Sequence, residues 1–266
     1  MASPYKFHFA KLGDKALPPT VFLHGFTGCS CDWRNIVAEL ASNFYCLMPD
    51  LPGHGQTVVE GSDDNFLMEH TASALIEWLD SLGVKQCSLA GYSMGGRLGL
   101  YLVLNYPDRF DKVVLESSSA GIKTEKERAV RRANDKSIAE KIITLSINEF
   151  MQEWYNQPLF ATLRQHPKRL SALLKDRKSV DREGLAKSLC MMGTGMQPSL
   201  WRRLSEVQHD TLLIVGEKDT KFCKIAEEMA GLIQGVTVAV VTEAGHNVHF
   251  EKPDEFTALV KRFLIQ

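Results

Sequence analysis

The sequence lacks the features that mark membrane, secreted, metal-binding and nucleotide-binding proteins. No apolar run approaches the roughly 18 residues that a membrane-spanning helix requires. The first ten residues, MASPYKFHFA, have no basic region followed by an apolar core. The eight histidines include no H-x-x-x-H pair, and no G-x-x-x-x-G-K-[ST] motif is present. The formal net charge of −1 gives no reason to expect a nucleic acid or a membrane as partner. We therefore expect a soluble protein without a signal peptide or a metal.

Cysteine is also scarce, with six residues in 266. None of them forms a C-x-x-C motif, and several lie within apolar runs, which is typical of free buried thiols. We therefore expect free thiols and a reducing compartment, either a cytoplasm or an organelle stroma. The six residues are Cys29, Cys31, Cys46, Cys87, Cys190 and Cys223.

The near-zero net charge conceals an uneven distribution. Residues 121–209 carry 17 Lys and Arg against 10 Asp and Glu, whereas the rest of the chain carries 14 against 22. A basic segment inside an acidic protein indicates an anionic ligand, although a solvated helical face explains the charge about as well.

Strand-like and helix-like stretches alternate through the first 120 residues and again near the end of the chain. Buried apolar runs that alternate with helices predict βαβ units. The fold class is therefore α/β, with a mostly parallel central sheet and helices on both faces. The predicted strands lie in 20–25, 44–55, 86–93, 112–120, 210–219 and 236–246, and the predicted helices in 66–83, 94–107, 221–233 and 253–264.

The pattern changes between about residues 122 and 207, where strand-like runs are missing. Amphipathic helical stretches follow one another there, at 124–147, 148–155, 167–177 and 181–192. We predict an α/β core formed by residues 1–121 and 208–266, interrupted by a helical cap formed by residues 122–207.

A candidate nucleophile lies between the predicted strand 86–93 and the helix that follows it. Gly91-Tyr92-Ser93-Met94-Gly95 matches G-x-S-x-G, which in a strand-to-helix turn forces the serine hydroxyl into a cleft. The alternative is a small polar residue that a tight turn required.

An acid and a base follow later strands in the same way. Asp219 comes after the strand-like TLLIVG, and His246 follows the last predicted strand. A turn-forming aspartate and a structural histidine are common alternatives when each is considered alone. Together with Ser93, however, they give the chain order of α/β-hydrolases, in which His246 would deprotonate Ser93 while Asp219 orients the imidazole.

An oxyanion site would complete the constellation. HGFTG at 24–28 follows the first strong strand, and the backbone N–H of Phe26 could converge with that of Met94 on a developing negative oxygen. The alternative for His24-Gly25 is an ordinary tight turn. Because acid–base chemistry with such a site needs no further group, no cofactor is expected.

The whole chain resembles the α/β-hydrolase superfamily and, within it, the family of 2-succinyl-6-hydroxy-2,4-cyclohexadiene-1-carboxylate synthases of menaquinone and phylloquinone biosynthesis. HGFTG and PDLPGHG are shared widely in the superfamily and discriminate little. The narrower resemblance is carried by GYSMGGR (91–97), ERAVRRAND (127–135), EWYNQPLF (153–160), GEKDTKF (216–222) and AGHNVHFEKP (244–253).

The resemblance implies a set of site residues and a reaction. The catalytic triad falls on Ser93, Asp219 and His246, and pyruvate is eliminated from a substrate with several carboxylates without an acyl-enzyme. The implied substrate-binding residues are Tyr92, Arg97, Arg128, Trp154, Tyr155, Phe160 and Arg177. The choice of Arg128 over Arg131 is open, and so is the role of Phe250-Glu251, where a relative has a basic residue before the Glu.

The arginines are also informative on physical grounds. A guanidinium four residues after the nucleophile would be a costly desolvated charge in an apolar esterase pocket. A carboxylate ligand removes this difficulty, because it binds guanidinium through two charge-assisted hydrogen bonds. We therefore favour a functional Arg97, and we expect surface positions for Arg131, Arg132, Arg169 and Arg182.

Two alternatives remain beside the lyase. The same triad could hydrolyse esters or the carbon–carbon bonds of ring-cleavage products. A catalytically silent member of the superfamily could instead bind a small ligand or partner, although the intact serine, acid and histidine argue against it.

Overall fold

In a computed structural model that describes residues 3–177 and 180–266, the central element is a seven-stranded sheet. Its order is β2-β4-β3-β6-β7-β8-β9, and every neighbouring pair is parallel except the antiparallel pair of β2 and β4 at one edge. A separate antiparallel pair joins β1 to β5. The strands are β1 Tyr5–Lys6, β2 Phe9–Leu12, β3 Pro19–Leu23, β4 Tyr45–Pro49, β5 Val58–Val59, β6 Cys87–Tyr92, β7 Phe110–Glu116, β8 Asp210–Gly216 and β9 Val236–Val241.

Helices cover both faces of this sheet, because its inner strands are apolar on both sides. One core cluster joins the sheet to α2 (Met68–Ser81), α3 (Met94–Asn105) and α8 (Thr220–Ala230). The opposite cluster joins it to α1 (Arg34–Leu40) and α10 (Pro253–Ile265). Each fully buried Leu, Ile or Phe side chain in these clusters contributes about 1.5–3 kcal/mol of burial free energy. The predicted α/β class is confirmed.

Four α-helices lie between β7 and β8 and bury a cluster of their own. They are α4 Glu125–Thr144, α5 Ile147–Tyr155, α6 Pro167–Asp176 and α7 Arg182–Met192. A capping box starts α5, where the Ser146 hydroxyl accepts the Glu149 N–H and the Glu149 carboxylate accepts the Ser146 N–H. These helices match the predicted ones to within three residues at each end. The division into core and cap at residues 122 and 207 stays a prediction.

Several predicted elements differ from those observed at their ends. The strands predicted in 44–55, 112–120 and 236–246 end earlier, at Pro49, Glu116 and Val241, because the chain turns there into the loops that carry polar side chains. The strands β1, β2 and β5 and the helix α1 were not predicted. A four-residue helix, α9 (Val248–Glu251), also follows β9 unpredicted.

The cysteines differ from the prediction at one pair. Cys29 and Cys31 are half-buried and joined by a disulfide, so the expectation of free buried thiols is wrong for them. They follow β3 in a loop that brings the two side chains together. Cys46 and Cys87 are free and buried, and burial raises the pKa of each thiol to about 12. None of the helices in the described ranges is both long and apolar enough to cross a membrane.

Candidate active site

Ser93 occupies a strained turn between β6 and α3. Its φ of 50° lies in the left-handed region that L-residues rarely adopt. The flanking glycines make this turn possible: a Cβ on Gly91 would lie 2.6 Å from the Gly95 carbonyl oxygen, and a Cβ on Gly95 would lie 2.2 Å from the Leu23 carbonyl oxygen. The Ser93 N–H donates to the Glu116 carbonyl at 2.9 Å, which ties the turn to β7. The serine is therefore held at the carboxyl edge of the sheet.

His246 and Asp219 reach the same edge from the loops after β9 and β8. His246 Nε2 lies 3.2 Å from Ser93 Oγ, and His246 Nδ1 lies 2.7 Å from Asp219 Oδ2. The other carboxylate oxygen of Asp219 accepts the Phe222 N–H at 3.3 Å at the start of α8. Both side chains are almost fully buried. The geometry allows Nδ1–H to donate to the carboxylate and leaves Nε2 to accept the serine proton.

A cavity of about 240 Å³ opens in front of this constellation. Ser93, His246, Phe26 and Met94 line it together with Trp154 of the predicted cap. The backbone N–H groups of Phe26 and Met94 donate to no acceptor in the part of the chain that the structure describes. Both are therefore available for an oxygen bound next to Ser93.

Two arginines line the same cavity, and one of them pairs with a buried carboxylate. Arg97 Nη1 donates to the Met192 carbonyl at 3.1 Å and to Gln197 Oε1 at 2.6 Å. Arg131 donates to Asp135 at 2.7 Å, and burial raises the pKa of that carboxyl despite the pair. Burial, followed by repulsion from Arg131, lowers the pKa of Arg97 to about 10. With Lys221 also in its wall, the cavity carries a positive charge that its own carboxylate does not balance.

Arg131 thus contradicts the expectation of a surface position. Arg128, which the resemblance implied as the substrate-binding residue, lines a separate groove. There it donates to the Met196 carbonyl at 3.0 Å and pairs with Glu125 at 3.3 Å. The difference arises because buried Asp135, one helical turn after Arg131, draws that guanidinium inward.

Arg177 is not brought to the cavity either. Both carboxylate oxygens of Asp32 lie 2.7 Å from its Nη2, and both side chains are nearly fully buried. Burial alone would lower the pKa of Arg177, but the Asp32 carboxylate outweighs it and raises that pKa above its usual value. Arg177 is thus paired with Asp32 and lies outside the cavity around Ser93, and its implied contact with the substrate stays a prediction.

The four predicted aromatic residues are divided between His246, the cavity and the cap interior. Tyr92 and Phe160 pack against the imidazole, with ring centroids 5.5 and 6.2 Å away. Burial raises the pKa of Tyr92 well above its usual value, so its phenol stays neutral. The hydroxyl of Tyr155 is buried in a 2.8 Å hydrogen bond with Thr27. Trp154 is the member of this set that lines the cavity itself.

Sequence reasoning missed several polar residues in the cavity wall. Ser117, Ser118 and Ser119 follow β7 directly, and Ser188 comes from α7. The hydroxyls of Ser117 and Ser188 are buried and have no hydrogen-bond partner among the described residues. The run ESSSA at the end of a predicted strand was the signal for the first three, because strand ends meet at the same edge as Ser93.

No group in the described residues is arranged to suit a metal at this site. Among the described residues, the one cluster with suitable spacing is formed by Cys29, Cys31 and Asp32, which do not line the cavity around Ser93. Its two sulfurs are bonded to each other, and Asp32 is committed to Arg177. These donors therefore do not fit a cation.

The chain is similar to known proteins over nearly its whole length. A family model described as alpha/beta hydrolase fold matches residues 18–253. A Bacillus subtilis protein assigned as a 2-succinyl-6-hydroxy-2,4-cyclohexadiene-1-carboxylate synthase is 36% identical over 260 residues, covering 97% of this chain and 94% of that protein. The synthase of that name from Escherichia coli O1:K1 / APEC is 32% identical over 96% of this chain and 97% of its own. The structure of MenH from S. aureus superposes with a TM-score of 0.90 at 34% identity, covering 99% of this chain and 98% of that one.

Proposed function

The chain belongs to the α/β-hydrolase fold family and, within it, to the family of 2-succinyl-6-hydroxy-2,4-cyclohexadiene-1-carboxylate synthases. We propose that it is a lyase acting in menaquinone or phylloquinone biosynthesis. It eliminates pyruvate from 2-succinyl-5-enolpyruvyl-6-hydroxy-3-cyclohexene-1-carboxylate to give the compound for which the family is named. The single observation that carries this proposal is the cavity in which Ser93 and His246 face the guanidinium groups of Arg97 and Arg131.

The chemistry starts with proton transfer along the hydrogen-bonded chain. His246 Nε2 takes the Ser93 proton while Asp219 stabilises the imidazolium. The Ser93 alkoxide then removes the proton α to the succinyl carbonyl, and the N–H groups of Phe26 and Met94 hold the resulting enolate oxygen. As the ring double bond forms, the C–O bond to the enolpyruvyl group breaks. The imidazolium supplies the proton that this group gains as it becomes pyruvate.

The substrate is recognised as a small molecule with several carboxylates. Arg97 keeps Nε and Nη2 free of partners within the described residues, and these two nitrogens can hold one carboxylate in a two-pronged contact. Arg131 offers a second cation in the wall of the same cavity. Trp154 and Leu159 at the wall exclude water from the enolate. We further propose a location in the cytoplasm or an organelle stroma.

The test compares two reactions of the same preparation. Pyruvate release from the enolpyruvyl precursor is followed with lactate dehydrogenase and NADH, and cleavage of p-nitrophenyl esters is followed by absorbance. We expect fast pyruvate release, slow ester cleavage, and the loss of pyruvate release in Ser93→Ala. Fast ester cleavage without pyruvate would favour the hydrolase instead. Undiminished turnover by Ser93→Ala would rule out both reactions of this triad.

A further inference from the structure

Glu251 is a buried carboxylate that the proposed chemistry does not use. It is 2% exposed and lies in α9, five residues after His246. Glu251 Oε2 accepts the backbone N–H of Gly245 at 2.9 Å, and Gly245 directly precedes His246. Glu251 Oε1 accepts the hydroxyl of Thr162 at 3.0 Å. A single carboxylate therefore connects the backbone beside the histidine to the segment between α5 and α6.

That segment packs closely against the histidine loop. A Cβ on Gly245 would lie 1.9 Å from Thr162 Oγ1, so only glycine allows this approach. Arg169 of α6 adds a second contact, because its Nη1 donates to the carbonyl of Phe250 at 2.9 Å and also to that of Glu251. Both contacts join residues of the predicted cap to one short loop of the core.

Two hydrogen bonds hold His246 and the residue before it, in a loop that His249 also anchors to Glu116. On the side-chain end, Asp219 fixes the imidazole through Nδ1. At the backbone end, the Gly245 N–H is held by Glu251, whose orientation depends on Thr162. Because the distance from Nε2 to Ser93 Oγ depends on both ends, a shift of the backbone changes it directly.

We propose that Glu251 is a positioning residue that couples the docking of the cap to the placement of His246. When Thr162 and Arg169 engage the loop, the carboxylate holds Gly245, and the imidazole stays within hydrogen-bond distance of Ser93. When the cap moves away, the Glu251 carboxylate loses its partner Thr162, Gly245 is held less firmly, and proton transfer slows. This coupling does not depend on the identity of the substrate.

The test removes the hydroxyl of Thr162 and keeps its volume. We expect Thr162→Val to lower kcat about tenfold, since small misplacements of catalytic groups have effects of this order and larger. KM should stay nearly constant, because Thr162 does not line the cavity. Thr162→Ser keeps the hydroxyl and should restore kcat. The matched control is Thr144→Val, which removes a hydroxyl bonded only to the Glu140 carbonyl of its own helix.

A second measurement does not require turnover. The imidazole resonances of His246 are compared by NMR at one fixed pH in the wild type and the three variants, because they report the hydrogen bonds of the ring to Ser93 and Asp219. We expect these resonances to shift in Thr162→Val and to be unchanged in Thr162→Ser and Thr144→Val. Unchanged resonances in Thr162→Val would overturn the proposal. So would an equal loss of kcat in Thr162→Val and Thr144→Val. If the wild type releases no pyruvate, the proposed lyase fails, and the His246 resonances still decide the coupling.

Discussion

Replacement of Arg97 by methionine separates the function of this arginine from its effect on stability. Burial and Arg131 lower the pKa of Arg97 to about 10, which corresponds to roughly 3 kcal/mol of unfavourable free energy for the charged form. Methionine removes that cost but leaves Gln197 Oε1 and the Met192 carbonyl without their donor. Each lost partner costs about 1–3 kcal/mol. The opposing effects nearly cancel, so the free energy of unfolding should change little.

The effect on catalysis should be much larger. Two charge-assisted hydrogen bonds to a substrate carboxylate together contribute about 3–4 kcal/mol. Their loss lowers kcat/KM for pyruvate release by about 10²–10³-fold, since 1.4 kcal/mol corresponds to a factor of about ten. Arg97→Lys keeps the charge without the two-pronged geometry, so its kcat/KM should lie between that of Arg97→Met and that of the wild type.

The assay combines pyruvate release with urea unfolding of the same samples. Arg203→Met is the matched control, because Arg203 donates to the Leu104 carbonyl at 2.8 Å and lines none of the cavity around Ser93. This control should retain full activity. If Arg97→Met keeps kcat/KM within a factor of about five, or if it unfolds at clearly lower urea, the reasoning about this side chain is refuted.

Two further predictions concern stability. Gly95→Ala should lower the free energy of unfolding by about 3 kcal/mol or more, because the added Cβ would meet backbone atoms of Leu23 and His24 that cannot move aside. Urea unfolding checks this against the control Gly231→Ala, where the nearest atom lies 3.5 Å from the added Cβ. Equal losses of stability in the two variants would contradict the prediction. Burial, with the charge of His24, lowers the pKa of His54 to about 3. In the unfolded chain, His54 binds a proton below about pH 6.5, whereas in the folded chain it binds one only below about pH 3. The free energy of unfolding therefore decreases as the pH falls from about 6.5 to about 3. His54→Asn should flatten that slope, and an unchanged slope in urea titrations would disprove the assignment.

The main strands of the fold were predictable because their signals are local. Apolar runs such as TVFLHG and TLLIVG form buried parallel strands wherever helices cover both faces. The edge strand β2 was missed because the prediction looked for continuous apolar runs. Tyr5, Phe7 and Phe9 alternate with polar residues, and Phe7 and Phe9 pack on Trp78. That alternation was the available signal for an edge exposed on one side.

The candidate site was predictable where residues follow strands and unpredictable where they lie on polar helices. Ser93, Asp219 and His246 are placed by strand ends, which fix their common edge. Arg128 and Arg131 lie on α4, which is so polar that its buried face cannot be identified from the sequence alone. The position of buried Asp135 explains why Arg131, and not Arg128, lines the cavity around Ser93. The Asp32–Arg177 pair joins residues 145 apart, and no local pattern reports such a contact.

The imbalance of charge around Asp135 has a practical consequence for work with this protein. Arg97, Arg131 and Lys221 line the cavity while Asp135 pairs with Arg131, so a small multivalent anion gains free energy by entering it. Phosphate, sulfate and citrate are therefore expected to occupy it, to raise the melting temperature and to inhibit competitively. A Michaelis constant measured in phosphate buffer will then be raised by competition from phosphate. Zwitterionic buffers of low ionic strength are the appropriate medium.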